Sequence, residues 1–188
     1  MLQTKIQNTE TAIDEVHQSL LFIGEYIAKE IIGHEFVKNA DLVTCEDCMF
    51  HGLTVLDKPS LIISSKEDYD YFAKGVSNLF PNCKRGYIDF DYVDGREITK
   101  SLFLPGIGRG ERIDTVIIAK SVIDESNIMS LLLKKVVEKY IPKYIIIATA
   151  FYNKDCINRL VIDVPKCEFF VCDDSELNHQ KEKYLTHI

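Results

Sequence analysis

The chain has 188 residues, 46% of them hydrophobic and 27% charged, the balance of an ordinary globular protein and not of a disordered or fibrous one. A domain of this length buries roughly 70% of the surface its unfolded chain exposes, so a single domain over residues 1–188 with one sizeable core is expected. Lys plus Arg total 22 against 29 Asp plus Glu, a formal charge of −7 that disfavours nucleic acid and obliges any anionic ligand to find a local basic pocket.

Met1–Glu10 is polar and reads as neither signal nor transit peptide. From Thr11 to Ile32 the apolar residues Ile13, Val16, Leu20, Ile23, Ile27 and Ile31 fall on one stripe of an α-helix, with Thr11 as N-cap, Asp14 and Glu15 at the positive end of the dipole, and Gly33 ending it in a left-handed turn. Leu42–Cys45 reads as a short buried strand, and Leu53–Leu56 and Leu61–Ser64 as two more around an Asp57-Lys58-Pro59 turn. The stripe Tyr69, Phe72, Val76, Leu79 then returns to helical spacing and stops at Pro81.

Gly86–Leu104 alternates Ile88, Phe90 and Tyr92 with Asp89, Asp91 and Val93, turns at Asp94-Gly95 and returns, which predicts a hairpin with one acidic face. The aromatic residues Tyr87, Phe90 and Tyr92 suit either a core or stacking on a base. Pro105-Gly106-Ile107-Gly108-Arg109-Gly110 is a flexible loop, followed by a buried strand at Thr115–Ala119. A helix over Ile128–Tyr140, closed by Pro142, leads into a second buried strand, Tyr144–Thr149. The apolar run Tyr144–Tyr152 is too short for the ~20 residues of a membrane-spanning helix. A short helix, Asp155–Ile162, and a strand, Cys167–Cys172, repeat the unit, and the tail after Asp173 is expected to be loosely held. The fold class is therefore α/β: a mostly parallel twisted sheet with helices on both faces, plus an antiparallel hairpin.

The six cysteines, at 45, 48, 83, 156, 167 and 172, are scattered through a core-rich chain and read as reduced thiols, which with the absence of targeting signals predicts a cytoplasmic protein without a membrane partner. Cys45-x-x-Cys48-x-x-His51 has the ligand types and spacing of half a zinc site. A structural zinc needs four ligands and no second pair is evident, so no metal is expected there and Cys45 and Cys48 read as packing residues.

In open parallel sheets, ligands sit beyond the carboxyl ends of the strands, which points to the loop Lys120–Asn127. Val116-Ile117-Ile118-Ala119, the pair Lys120-Ser121, the apolar pair Val122-Ile123 and then Asp124-Glu125-Ser126-Asn127 opening a helix succeed one another without a gap. In that order the segment resembles the signature of the type I phosphoribosyltransferases: four apolar strand residues, two acidic residues, two apolar residues and a phosphate-binding loop opening a helix. The resemblance extends over residues 111–172, and the preceding hairpin stands where that family carries a mobile catalytic loop.

The resemblance implies a phosphoribosyltransferase-like protein whose ligand is a nucleotide or another phosphoribosyl compound. Asp124 falls on the aspartate that, in purine-salvage members, lies near the base and takes part in proton transfer. The backbone of Glu125, Ser126, Asn127 and Ile128 would hold a 5′-phosphate, with the Ser126 hydroxyl. Lys120 and Ser121 stand where the family has adjacent acids for the ribose hydroxyls, and Glu125-Ser126 where it has Thr-Gly. A carboxylate beside a phosphate repels it by ~4 kcal/mol at ~4 Å and an effective dielectric of ~20. The family's pyrophosphate loop, after its first strand, finds its counterpart in Glu46–Gly52, which carries two acids and no Lys or Arg. Lys84, Arg85, Arg109 and Arg112, with Arg96 and Lys100, are the anion contacts that would compensate. If active, such a protein transfers a phosphoribosyl group with Mg²⁺ bound mainly through the pyrophosphate, the hairpin excluding water from an oxocarbenium-like transition state. The alternative is a catalytically inactive regulatory or interaction subunit of the same fold, whose partner is another protein or a second copy of itself.

Overall fold

The structure is a computed structural model that describes residues 5–6, 8, 10–43, 49–56, 60–80, 82–93, 96–108, 112–124, 126–163 and 167–172. The turns expected at 57–59 and 94–95, the stop at Pro81, Arg109, Gly110, Glu125 and the tail from Asp173 lie outside the described residues, as do Glu46, Asp47 and the cysteines at 45 and 48. Among the described residues, no helix is long and apolar enough to cross a membrane.

Helix α1 covers Ile13–Ile31 and buries the stripe Val16, Leu20, Ile23, Ile27 and Ile31. Its N-cap is Ala12 rather than Thr11, with no side-chain cap; the carbonyl of Ala12 accepts the first bonds, from Glu15 and Val16 N–H. Gly33 does not terminate the helix in a left-handed turn. The chain widens into a π-helical turn at Ile32–Phe36, which brings Ile31 and Phe36, five residues apart, into the same core. Helix α2, Phe72–Asn78, crosses α1 at backbone contact: a Cβ on Gly75 would lie 2.1 Å from the Leu21 carbonyl, and one on Gly24 2.4 Å from that of Phe72. Only glycine permits that approach.

The first strands are not part of the main sheet. β1, Val37–Val43, and β2, Met49–Val55, form an antiparallel ribbon of their own. Of the buried strand expected at Leu42–Cys45, the described residues Leu42 and Val43 end β1, in a ribbon whose Met49, Leu53 and Val55 are exposed. Apolar residues alone do not bury a strand; it must also have a layer against each face.

The main sheet begins at β3, Ser60–Ser65, followed by β4, Lys84–Val93; β5, Arg96–Phe103; β6, Thr115–Ala119; β8, Tyr144–Thr149; and β10, Cys167–Val171. Among the described residues its order is β10-β8-β6-β3-β4-β5, with β5 antiparallel to β4 and every other neighbouring pair parallel. The expected parallel relation of residues 115–119, 144–149 and 167–172 is found, and the expected hairpin of 86–104 forms the edge of the same sheet. Two short strands, β7 (Val122–Ile123) and β9 (Phe151–Tyr152), pair parallel just past β6 and β8.

Alternate residues of the central strands enter opposite cores. Ile62, Ile117, Ala119, Ile146 and Ala148 pack under α1 and α2. Leu61, Ile63, Val116, Ile118, Ile145 and Ile147 pack under α3 (Ser126–Tyr140) and α4 (Lys154–Asp163), through Met129, Leu132, Leu133, Val136, Cys156 and Leu160. Each such side chain, fully removed from water, contributes about 1.5–3 kcal/mol, which is why near-continuous Ile/Val strands settle between two helical layers.

Candidate binding site at the carboxyl edge

From β3 the chain moves to β4 on one side of the sheet and then to β6 on the other, so β3 and β6 flank the point where the strand order reverses. The loop after β3 leads to α2 on one face and the loop after β6 to α3 on the other, the arrangement that in an open parallel sheet usually leaves a ligand crevice between the two loops. The loop after the first strand of this sheet is therefore Lys66–Tyr71, not Glu46–Gly52, whose described part, Met49–Gly52, belongs to the exposed β2.

A buried carboxylate joins the two loops. Asp68 Oδ2 accepts hydrogen bonds from the Ser65 hydroxyl (2.8 Å) and the Ser121 backbone N–H (3.2 Å), and stands 3.7 Å from the ammonium of Lys120. The side chains of Asp68 and Lys120 are 5% and 12% exposed, so their charges are paired largely out of water. On its outer side the β6 loop is laced to the end of β8 and to residues 150–153. Lys120 N–H donates to Ala148 O, Ala150 and Phe151 N–H to Ser121 O, and Asn153 N–H to Ile123 O. The buried Thr149 hydroxyl donates to Phe151 O at 2.8 Å.

These bonds hold Lys120 half-buried and Ser121 buried between the two loops and leave Asp124 exposed, its carbonyl accepting from the Cys156 thiol at 2.9 Å. Helix α3 opens at Ser126, so its first N–H groups, including that of Ile128, lie just beyond β6 at the carboxyl edge. Glu125 and the side chains of Ser126 and Asn127 lie outside the described residues.

The hairpin of β4 and β5 overhangs the same edge. Ser65, the last residue of β3, pairs with Ile88, so Asp89–Val93 run past it. Asp89 accepts from the Ser101 hydroxyl at 3.2 Å and pairs with Lys66, 3.9 Å away, while Asp91 faces Lys100 at 4.0 Å.

Of the other cations, Arg85 reaches the β3 loop: its guanidinium lies over the Tyr69 ring, 4.2 Å from the centroid, and donates to the Tyr69 carbonyl. Lys84 is at the start of β4, where its ammonium donates to Gly106 O at 3.3 Å, and the exposed Arg112 precedes β6. Both belong to the amino edge, as does the glycine-bearing loop from Pro105, so they do not join Lys120 at the crevice.

His51 Nδ1 is 2.6 Å from Asp41 Oδ1, across the ribbon, while Cys45 and Cys48 of the same spacing lie outside the described residues. Cys83, Cys156, Cys167 and Cys172 are not joined in disulfides, and burial pushes Cys83 up and Cys167 up to about 11. Sequence reading missed Asp68, Ser65 and Thr149. The signal for Asp68 was its position three residues after the first apolar strand of the parallel sheet, which could be used only once that strand was identified.

No protein-family model matches the chain, and no curated protein matches it. Among solved structures, the AQ2163 protein of Aquifex aeolicus superposes with a TM-score of 0.73 at 14% identity, over 96% of this chain and 86% of that one. A purine phosphoribosyltransferase from Pyrococcus horikoshii gives a TM-score of 0.48 at 12% identity, over 82% of this chain and 84% of that one. A hypoxanthine-guanine phosphoribosyltransferase from Bacillus anthracis gives 0.48 at 15% identity, over 74% and 69%. At 14% identity the likeness to the Aquifex protein is one of fold.

Proposed function

We propose that this is a phosphoribosyltransferase-like protein that binds a phosphorylated ribose compound, a nucleotide or phosphoribosyl pyrophosphate, in the crevice between the β3 and β6 loops. The observation that carries the reading is the coincidence of two independent features on one loop. Residues 116–128 have the spacing of the phosphoribosyltransferase signature, and the same residues form the β6 loop and α3 N-terminus at the switch point of the sheet. A 5′-phosphate would rest on the first N–H groups of α3, with Lys120 and Ser121 beneath the ribose and Asp124 at the rim. In a transferase, Asp124 would exchange a proton with the base.

Mg²⁺ would reach this site only with a pyrophosphate. Among the described residues no group of three metal-ligating side chains faces one point, and the Asp68 carboxylate is already engaged, so the described donor set does not fit a protein-held ion.

A second reading, a catalytically inactive regulatory or interaction subunit, is favoured by the pairing of Lys120 with Asp68 where the signature has free acids for the ribose. Calorimetric titration with nucleoside monophosphates, then with phosphoribosyl pyrophosphate plus Mg²⁺, tests the binding shared by both readings; silence with every ligand would reject the crevice as a nucleotide site. Asp124→Asn separates them. It should lower turnover by ~10²-fold or more in a transferase and leave ligand affinity nearly unchanged in a binding protein.

A further inference from the structure

Where α3 and α4 end, at the amino edge of the sheet, apolar side chains stand outside the core. Val137 on α3 is 40% exposed, Ile141 in the turn after it 77%, and Ile162 at the end of α4 78%. Helical spacing places them on one side. The stripe of α3 that faces the sheet is Met129, Leu132, Leu133, Val136 and Tyr140, and Lys139 leaves one flank of it to reach Leu104 O. Val137 leaves the other flank, toward β8 and β10, where α4 packs beside α3. Ile141, whose N–H bonds to Val137 O at 3.1 Å, lies one turn further along.

Ile141 is a costly residue to hold there. At φ 47°, where Gly or Asn would sit at ease, a β-branched side chain is kept in a left-handed conformation and then left in water. Neither the backbone nor the core gains from an isoleucine at this position, whereas a contact outside the chain would. The charge around it specifies the contact. Residues 134–143 hold Lys134, Lys135, Lys139 and Lys143 against the one acid Glu138, in a chain whose formal charge is −7. All four lysines are exposed, as is Arg159, three residues before Ile162 on α4.

We propose that this end of α3 and α4 is a docking surface for an acidic segment of another protein, which sets apolar side chains on Val137, Ile141 and Ile162 and carboxylates on the cations around them. The surface is at the edge of the sheet opposite the crevice and is independent of what binds there. A second copy of this chain does not fit it, because a two-fold contact would set one lysine-rich strip against another. An anionic membrane matches the local charge, but the acid excess of the whole chain opposes approach to it, and Val137, Ile141 and Ile162 include no aromatic anchor for a lipid interface.

The test is selection of a random peptide library, displayed on phage, against the full chain, with the Ile141→Asn variant as counter-selection, since its backbone suits that position. Enriched peptides should set Asp or Glu beside large apolar residues. Made with a fluorescein label, they should bind the parent at least about tenfold more tightly than Ile141→Asn in fluorescence anisotropy. Lys134→Glu combined with Arg159→Glu, exposed changes that leave the core intact, should weaken them by about tenfold or more, and added salt should weaken binding to the parent. Peptides enriched without acids, or bound equally by the parent and both variants, would overturn the proposal, as would a library that yields no enrichment. Binding of the parent to phosphatidylserine vesicles, or a dimer in sedimentation, would overturn it too if Ile141→Asn abolished that association.

Discussion

The two ends of the sheet satisfy their polar groups in different ways. At the amino edge, long cationic and phenolic side chains hold the crossing loop by its carbonyls: Lys84 on Gly106, Lys139 on Leu104 at 3.0 Å and the Tyr140 hydroxyl on Pro105 at 2.8 Å. Lys143 adds an ion pair to Asp114 at 3.0 Å. At the carboxyl edge the described groups are mostly short and buried, Ser65, Asp68, Ser121 and Thr149, with Lys120 reaching in and Arg85 holding the β3 loop. Cations that precede a strand become fasteners of its connection. The low overall basicity of the crevice results from that division.

If the carboxyl edge is the more tightly coupled of the two, breaking its centre should cost most. Asp68→Ala leaves Lys120 buried without its counter-ion and Ser121 N–H without its acceptor, and should lower stability by about 3 kcal/mol in urea denaturation. A loss no larger than that of a surface pair would erase the contrast between the edges.

At the amino edge the expected effects descend from there. Tyr140→Phe removes the bond to Pro105 and should cost about 1 kcal/mol. Burial pushes the Tyr140 hydroxyl from 10.0 up to about 12, so the neutral form is favoured by folding; that contribution is intact below pH 10 and fades as pH rises through about 12. Thermal melts of the parent and the phenylalanine variant should therefore converge over that alkaline window, and a constant difference through it would sink the assignment.

Ile141, just before Pro142, sits at φ 47°, a left-handed conformation that a β-branched residue resists, and it is 77% exposed. Replacing it with Asn, which tolerates that backbone, should raise stability by roughly 0.5–1 kcal/mol, seen as a higher denaturation midpoint at unchanged m-value. Lys143→Ala should change stability least, by about 0.5 kcal/mol, because the ammonium it removes is half exposed, although the Asp114 Oδ1 it faces is itself buried. A larger loss would mean that this edge, too, depends on charge.

What could be read from the chain alone was everything set by local period and by hydrophobicity on both faces. The stripe of α1, the strands at 115–119 and 144–149, the helix between them and the hairpin of 86–104 all lie where spacing put them, because burying Ile and Val between two helical layers admits few other arrangements. The ribbon of β1 and β2 departs from expectation for the same reason: its apolar residues carry no mark of whether a second layer will arrive to cover them. The π-helical turn at Ile32–Phe36 likewise answers to a core that includes Phe36, not to Gly33. The site divided along this line. Of the candidate site, Lys120, Ser121 and Asp124 could be named from the chain because they come after a recognisable strand at fixed spacing. Asp68 was not, because its partner Ser121 is 53 residues away and a single acid in a loop has no period to betray it. Which carboxylate meets which lysine is decided only when the sheet aligns β3 beside β6, and the Coulomb energy that makes the pairing matter exists only once folding has removed both charges from water.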